Sequence, residues 1–523
     1  MSPFRLDPAS RRVVALLGSL GLALASPAPA RGDDPPPGGA RPLPSLGDLQ
    51  LQPPGFPDLQ PPGPTPVTTP VPMPGPTPWR AVGEEALVLG VCYLGYRVVQ
   101  PPANGSHPVS LHDKLTFAPG AWGFDADRFD TNYVGHPGAG LVFYQVARGN
   151  RLGVGASLGL TLASAWAWEL AETEELAAVH DVISTTAGGV ALGEAFGQLA
   201  DWFRQREGAL SRVASVLFQL PRAFHDWRDE APPGPPVRWG LADVSAWTSA
   251  GWSWPRPGGD AAELRVGGRS RLIRAAEVGA PGTGWLALPA GDVTSLAGEV
   301  AVGRPGIVEA DFLALASLAG LSGRDLDTSG EGHDLLATLS LGFDYLRRAE
   351  PVSGGWANDG LALLRIPGVE LVTGLRRGAL RAELGLEAAL TLGGVVSLPL
   401  LGLSGDLPGA PGALRIQGYY HGVGAMLAPR ASLAVGPLAV TVAWRFDRLQ
   451  AVERWDVSPP PDGGHLLLED ERGDLKATLG WQTPFRGLRL FASWERRDRW
   501  GRAGAAATTL QDSTGLLGVA VAP

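Results

Sequence analysis

Leu438, Val440, Val442, Trp444 and Phe446 alternate with Ala439, Thr441, Ala443, Arg445 and Asp447. Every second side chain is apolar, and those between are small, polar or charged. Such a period of two means an extended strand whose two faces meet different surroundings. The pattern recurs. Leu335, Ala337, Leu339, Leu341, Phe343 and Tyr345 stand against Thr338, Ser340 and Asp344. Leu380, Ala382, Leu384, Leu386, Ala388 and Leu390 stand against Arg381, Glu383 and Glu387. Leu475, Ala477, Leu479 and Trp481 oppose Lys476, Thr478 and Gln482, and Leu488, Leu490, Ala492 and Trp494 oppose Arg489, Ser493 and Glu495.

A soluble sandwich also alternates, so the placement of charge decides. Here charges stand in mid-strand on the polar face, which suits a wet lumen rather than a dry core. Trp444, Trp481 and Trp494 are read as strand-end members of an aromatic girdle. The expectation is an α+β chain: an N-terminal helical domain, then an antiparallel transmembrane β-barrel of about 12 strands over 237–523. One feature dissents. Many outer-membrane barrels end on an aromatic residue, whereas this sequence ends Val519, Ala520, Val521, Ala522, Pro523.

The 523 residues include 72 glycines and are 18% charged, below the usual quarter. Positive charge comes almost wholly from arginine, Lys114 and Lys476 being the lysines. A formal net charge of -9 argues against a nucleic-acid partner; the expected partner is outer-membrane lipid. A single cysteine, Cys92, excludes a disulfide framework and a cysteine metal site, and is read as a buried small hydrophobe.

Residues 1–30 have the pattern of a signal peptide. Arg5, Arg11 and Arg12 are the basic region, Val13 to Ala25 the apolar one, and Ala28-Pro29-Ala30 the cleavage site. Export to the outer membrane of a Gram-negative envelope follows as the expected location. Residues 31–80 are proline-rich, unable to bury a core, and read as a disordered linker.

Residues 81–230 form the expected helical domain, with helices over Glu84–Val99, within Gly138–Arg206 and over Leu210–Leu220. Glycines and alanines are dense in the second block, notably Gly153, Gly155, Gly159, Gly188, Gly189, Gly193 and Gly197. In helices these residues permit close backbone approach. Ionisable residues interrupt the same apolar stretches, where they are costly unless paired or functional. Glu169 and Glu172 are three apart and share a helix face, as Asp181 and Thr185 do at a spacing of four.

The expected cluster is His136, Glu169, Glu172, Asp181 and Glu194. It reads either as a catalytic acid/base or metal site, or as a hydrogen-bonded network pinning helices together. Whether it takes a metal or another cofactor stays open. Gly155, Ser157 and Gly159 fit a nucleophile-elbow spacing, but lie in an apolar small-residue run rather than a strand–turn–helix. Asp125 and Asp127 lack the glycine and glutamate of an EF-hand loop.

Over Glu84–Arg206 the chain resembles an uncharacterised family of bacterial envelope proteins, a domain of unknown function. The residues that carry the resemblance are Asn132 with His136-Pro137, then Tyr144 and Arg148, then Trp168-Glu169 with Glu172, then Asp181, and finally Gly188-Gly189 with Gly193-Glu194. The resemblance implies an outer-membrane location and no particular activity. A fainter similarity is to small helical membrane proteins of the teicoplanin-resistance type. Two functions remain open: a transport or structural barrel plugged or capped by its helices, and a membrane-embedded enzyme acting on lipid or cell-wall material through the His/Glu/Asp cluster.

Overall fold

The computed structural model describes residues 75–99, 109–172, 175–231, 236–254, 261–304, 306–352, 355–401, 410, 413–414, 418–452, 466–485 and 487–521. The expected signal peptide and most of the proline-rich linker lie outside the described residues. The end of that linker is helical. Helix α1 runs Pro78–Val99, earlier than Glu84. Pro78 takes the first helical position, where its missing N–H is no loss, and the Ala81 N–H bonds back to the Thr77 carbonyl at 3.1 Å.

The helices that follow are α2 (Leu111–Leu115), α3 (His136–Gly149), α4 (Val154–Ala171), α5 (Val179–Ile183), α6 (Gly189–Arg204), α7 (Ala209–Phe218) and α8 (Leu220–Arg228). A π-helical turn, Thr131–Gly135, leads into α3, and another, Ser184–Gly188, joins α5 to α6. A two-residue parallel pairing of β1 (Trp122–Gly123) with β2 (Ala177–Ala178) ties the segment before α3 to the one before α5.

Glycine spacing explains how α3 and α6 cross. A Cβ at Gly189 would lie 2.3 Å from the Gly140 carbonyl carbon, and one at Gly188 would lie 2.8 Å from the Pro137 ring. At Gly193 it would meet the Tyr144 ring at 2.4 Å. No side chain fits at those contacts, so the Gly-Gly-x-x-x-Gly spacing is a packing surface.

The barrel strands are β3 (Leu241–Trp254), β4 (Ala261–Ile273), β5 (Gly282–Leu288), β6 (Val293–Gly303), β7 (Gly306–Leu326), β8 (Gly332–Val352), β9 (Gly355–Arg377), β10 (Leu380–Val396), β11 (Tyr420–Val435), β12 (Leu438–Ala451), β13 (Leu468–Gln482), β14 (Leu488–Ala503) and β15 (Ala506–Val521). All pairs are antiparallel, and β7 pairs with β8 to close the ring. Strands β5 and β6 pair in series along the same edge of β7, so thirteen strands make a closed barrel of 12. Tight turns such as those at Gly378 and Gly436, both at positive φ, mark one end of the barrel. The long connections 397–419 and 452–467 mark the other.

The alternation sorts into two faces as expected. Arg265, Glu309, Asp344, Arg365, Glu387, Arg445, Lys476, Glu495 and Arg497 point inward, joined by ion pairs across the ring. Leu384 and Leu390, each 60% exposed, point outward with Val440, Val442 and Leu479. Of the three tryptophans, Trp481 ends its strand, but Trp444 and Trp494 lie well inside theirs. They mark the top of the apolar band instead. Beyond Phe446 on β12 and Trp494 on β14 the outward positions turn polar, with Arg448 on β12 and Arg496 and Asp498 on β14.

The expectation that the helices plug or cap the barrel is corrected. Helix α6 packs on the outer wall. Phe196 meets Phe312 edge to face at 6.4 Å between ring centres. Val190, Ala191 and Ala195 share a core with Ala314, Leu341, Phe343 and Leu364. These wall residues have the outward parity of Leu384, opposite to the lumenal Asp344 and Arg365. A Cβ on outward-facing Gly394 would lie 2.4 Å from the Tyr133 ring.

The lumen is filled by the barrel's own chain. Near the long-connection end, Leu400 of the short helix α9 (Leu398–Leu401) packs with Leu346, Leu361, Leu363, Val395, Tyr420 and Leu449. Near the tight-turn end, Ala275 and Val278 fold against Ile273, Leu288, Leu336 and Val372. Cys92, expected to be buried, is exposed on α1; it shares that helix with a row of exposed apolar residues, Leu87, Val91, Leu94 and Val98.

Candidate functional site

The densest group of ionisable side chains outside the lumen lies where the helices meet the wall near the start of β11. His136 is the first residue of α3, Glu169 lies near the C-terminal end of α4, and Asp181 lies on α5. Their ligand-type atoms all fall within 4.8 Å of one another. His136 Nε2 is 3.4 Å from Asp181 Oδ2, while its Nδ1 meets the Thr185 hydroxyl at 3.1 Å. Glu169 Oε2 accepts the Ala178 N–H at 2.7 Å.

Lys114, fully buried, donates its ammonium to the main-chain carbonyls of Glu169 and Glu172. It thus satisfies the end of α4, where the helix dipole favours a cation.

A second group adjoins the first. Asp125, His180 and His421 again bring ligand-type atoms within 4.8 Å. His180 Nε2 lies 3.1 Å from Asp181 Oδ1 and 3.5 Å from Asp125 Oδ1. Asn132 Nδ2 lies 2.9 Å from the same ring nitrogen, 2.8 Å from Asp125 Oδ1 and 3.0 Å from the Tyr419 hydroxyl. His421, on the outer face of β11, is held at both nitrogens: Nδ1 by the Tyr133 hydroxyl at 2.7 Å and Nε2 by the Asp125 carbonyl at 2.8 Å.

Burial acts on every charge here. It raises the carboxyls, Asp125 to about 6, Asp127 to about 7, Glu169 to about 8 and Glu172 to about 9. Asp181 is also raised well above the usual carboxylate range, first by burial and then by the neighbouring Asp125 and Glu169. Burial lowers His136 to about 4, and His180 well below the usual imidazole range. Glu169, Glu172 and Asp181 therefore favour the protonated form near neutrality, and His136 and His180 the neutral one.

The structure thus brings together His136, Glu169 and Asp181. Glu172 stands beside them as a partly buried carboxyl whose charge is felt by Glu169 and Lys114. Glu194 lies apart. It accepts Tyr144 at 2.8 Å and Arg148 at 3.0 and 3.3 Å, and Arg274 after β4 approaches at 3.5 Å. That group locks α3 to α6 and both to the wall.

Sequence reasoning missed Lys114, Asn132, Tyr133, Tyr419 and His421 as members of the cluster. The two barrel residues lie almost 300 positions from their partners, and no local spacing could link them. Lys114 did carry a signal, as one of only two lysines in the chain.

Residues 121–220 match the family described as "Domain of unknown function (DUF3943)". No curated protein matches. Among solved structures, the chain is similar to the beta domain of the Bordetella autotransporter BrkA, at 14% identity over 54% of this chain and 99% of that one, with a TM-score of 0.23. It is also similar to the NanC porin, at 12% identity over 53% and 100% with a TM-score of 0.26. A third is the translocator domain of the autotransporter NalP from Neisseria meningitidis, at 14% identity over 59% and 95% with a TM-score of 0.22. The closed ring with an apolar exterior and a charged interior defines the class: an outer-membrane β-barrel preceded by helices.

Proposed function

We propose that the protein is a non-conducting outer-membrane scaffold, whose barrel serves to hold the helical domain against its outer wall. One observation carries this reading: ion pairs span the lumen. Arg497 on β14 reaches Glu309 on β7 at 2.7 Å, Arg348 on β8 reaches Asp512 on β15 at 2.5 Å, and Arg499 on β14 reaches Asp359 on β9 at 3.0 Å. In the order of the ring these are nearly opposite strands. Among these charges lies a cavity of about 380 Å³, lined by Arg265, Glu309, Asp344, Arg445 and Arg497. That is room for about a dozen waters.

The placement of the helices follows from the same geometry. A domain packed on the lipid-facing wall shares the hydrocarbon layer with it. The exposed apolar rows on α1 and on α7–α8, including Leu210, Val213, Leu217, Phe224 and Trp227, suit that surrounding. No described helix is long and apolar enough to cross a membrane alone. Their polar residues turn inward instead, as where Ser164 on α4 donates to Glu85 on α1.

The enzymatic alternative has less support, because Glu169, His180 and Asp181 are buried, and a lipid or cell-wall substrate would have to part the helices to reach them. The test is electrical. The purified full chain, inserted in planar bilayers, should give no stable conductance steps. Reproducible single-channel openings that change with Arg497→Gln would overturn the scaffold reading in favour of transport.

A further inference from the structure

We propose that His136, Glu169 and Asp181 hold a divalent first-row transition-metal ion that fastens α3, α4 and α5 to one another. This goes beyond the scaffold reading and does not depend on it.

Three observations point to the ion. The first is convergence: one imidazole and two carboxylates from three helices place ligand-type atoms within 4.8 Å of one another. Donors at about 2.0–2.2 Å from one ion lie at most about 4.4 Å apart, so the 3.4 Å between His136 Nε2 and Asp181 Oδ2 fits as it stands, and small side-chain rotations close the rest.

The second is an orphaned atom. Asp181 Oδ1 is buried, and no N–H or O–H of the described residues is aligned to donate to it, although the Asp181 carboxyl shares a hydrogen bond with Asp125. Its neighbour His180 Nε2, at 3.1 Å, approaches without hydrogen-bond alignment and is already shared with Asn132. His180 Nδ1 is likewise buried and unbonded. A closed proton-sharing network would satisfy its members, because leaving a buried acceptor unmade costs about 1–3 kcal/mol.

The third is orientation. The Thr185 hydroxyl takes His136 Nδ1, which leaves Nε2 directed at Asp181, 3.4 Å away. Metal-binding histidines are commonly fixed through the other ring nitrogen in this way. The Ala178 N–H does the same for Glu169.

The donor set chooses the kind of ion. Nitrogen and oxygen without sulfur suit zinc, manganese or iron(II), and disfavour copper(I). The neighbouring Asp125–His180–His421 group is less suited, since both nitrogens of His421 already have partners.

The experiment uses the full chain in detergent micelles, stripped with a chelator, passed through a desalting column and titrated with Zn²⁺ and separately with Mn²⁺ by calorimetry. One ion of at least one of the two metals should bind per chain. Asp181→Asn and Glu169→Gln should each weaken that binding by at least about tenfold, while the barrel keeps its heat-modifiable migration. Either variant could instead disturb the helices, so Thr185→Val serves as the second probe. It keeps all three ligands and should weaken binding about 10–100-fold by freeing the His136 ring. Uptake of neither metal by the wild type overturns the proposal. So does binding that all three variants retain at wild-type strength.

Discussion

The pair between Glu309 and Arg497 tests whether the lumen is closed. Glu309 accepts two N–H groups of Arg497 at 2.7 and 2.8 Å, and Arg265 and Arg348 each stand 3.7 Å from the same carboxylate. The Glu309 side chain is 4% exposed. Glu309→Gln leaves three guanidinium groups around a neutral amide. Removing one partner of a buried pair costs about 3–5 kcal/mol, and that is the expected loss. Arg497→Gln should cost less, because Arg265 and Arg348 still face the carboxylate. The double variant should recover part of the sum, with a coupling energy of about 2–3 kcal/mol. In an open, water-filled lumen the same pair would be worth about 0–1 kcal/mol. The assay is urea unfolding of the barrel reconstituted in lipid vesicles, followed by tryptophan fluorescence, in dilute buffer and in about 1 M salt. Exposed charges are screened there over about 3 Å. A coupling below about 1 kcal/mol that disappears in salt would refute the closed lumen and the scaffold reading with it.

Further outcomes follow from the same geometry. Leu384→Arg should destabilise the barrel by about 2–4 kcal/mol by placing charge in hydrocarbon; a loss under about 1 kcal/mol in vesicle unfolding would mean that the outward face has been misassigned. Phe343→Ala should cost about 3–5 kcal/mol by opening a cavity against α6, and should make the helical domain easier to cleave with protease while the barrel stays heat-modifiable. Unchanged protease resistance would speak against docking on the outer wall. Gly394→Leu should displace the Tyr133 ring at a cost of about 1–3 kcal/mol, seen as altered near-ultraviolet circular dichroism; an unchanged spectrum would contradict the contact.

The barrel was legible because its code is local. Residues two apart share a face, so Leu438 to Phe446 announce a strand without reference to any other part of the chain. What interrupts the code was not legible. Register slips between Ser317 and Ala319, and between Ser340 and Gly342, change which residues face the lumen within β7 and β9. The break between β5 and β6 also leaves no periodic trace. The site was half legible. An acid on an apolar helix needs a partner, and that need singled out Glu169 and Asp181. It also singled out Glu194, whose need is met elsewhere by Arg148. The partners themselves were illegible wherever they lay on distant strands.

The side on which the helices dock could have been read from residue size. Lipid and packed helix are both apolar, so hydrophobicity alone does not separate the two kinds of outer wall. Size does, because lipid conforms to large side chains whereas a helix must approach the wall closely. Wall facing lipid carries Leu384, Leu390, Val440 and Leu479. Wall under the helices carries Ala314, Ala362 and Gly394 among its larger residues, opposite Ala191 and Ala195. Near Leu361 to Leu364 a second signal appears. Four consecutive apolar residues mean that both faces of the strand are dry, as in a buried parallel sheet. On β9 the inward pair, Leu361 and Leu363, meets the chain that fills the lumen, and the outward pair, Ala362 and Leu364, meets the helical domain. A barrel with water inside and lipid outside has no reason to carry such a run. Its presence, together with small outward residues on the same strands, identifies a wall covered by protein on both sides.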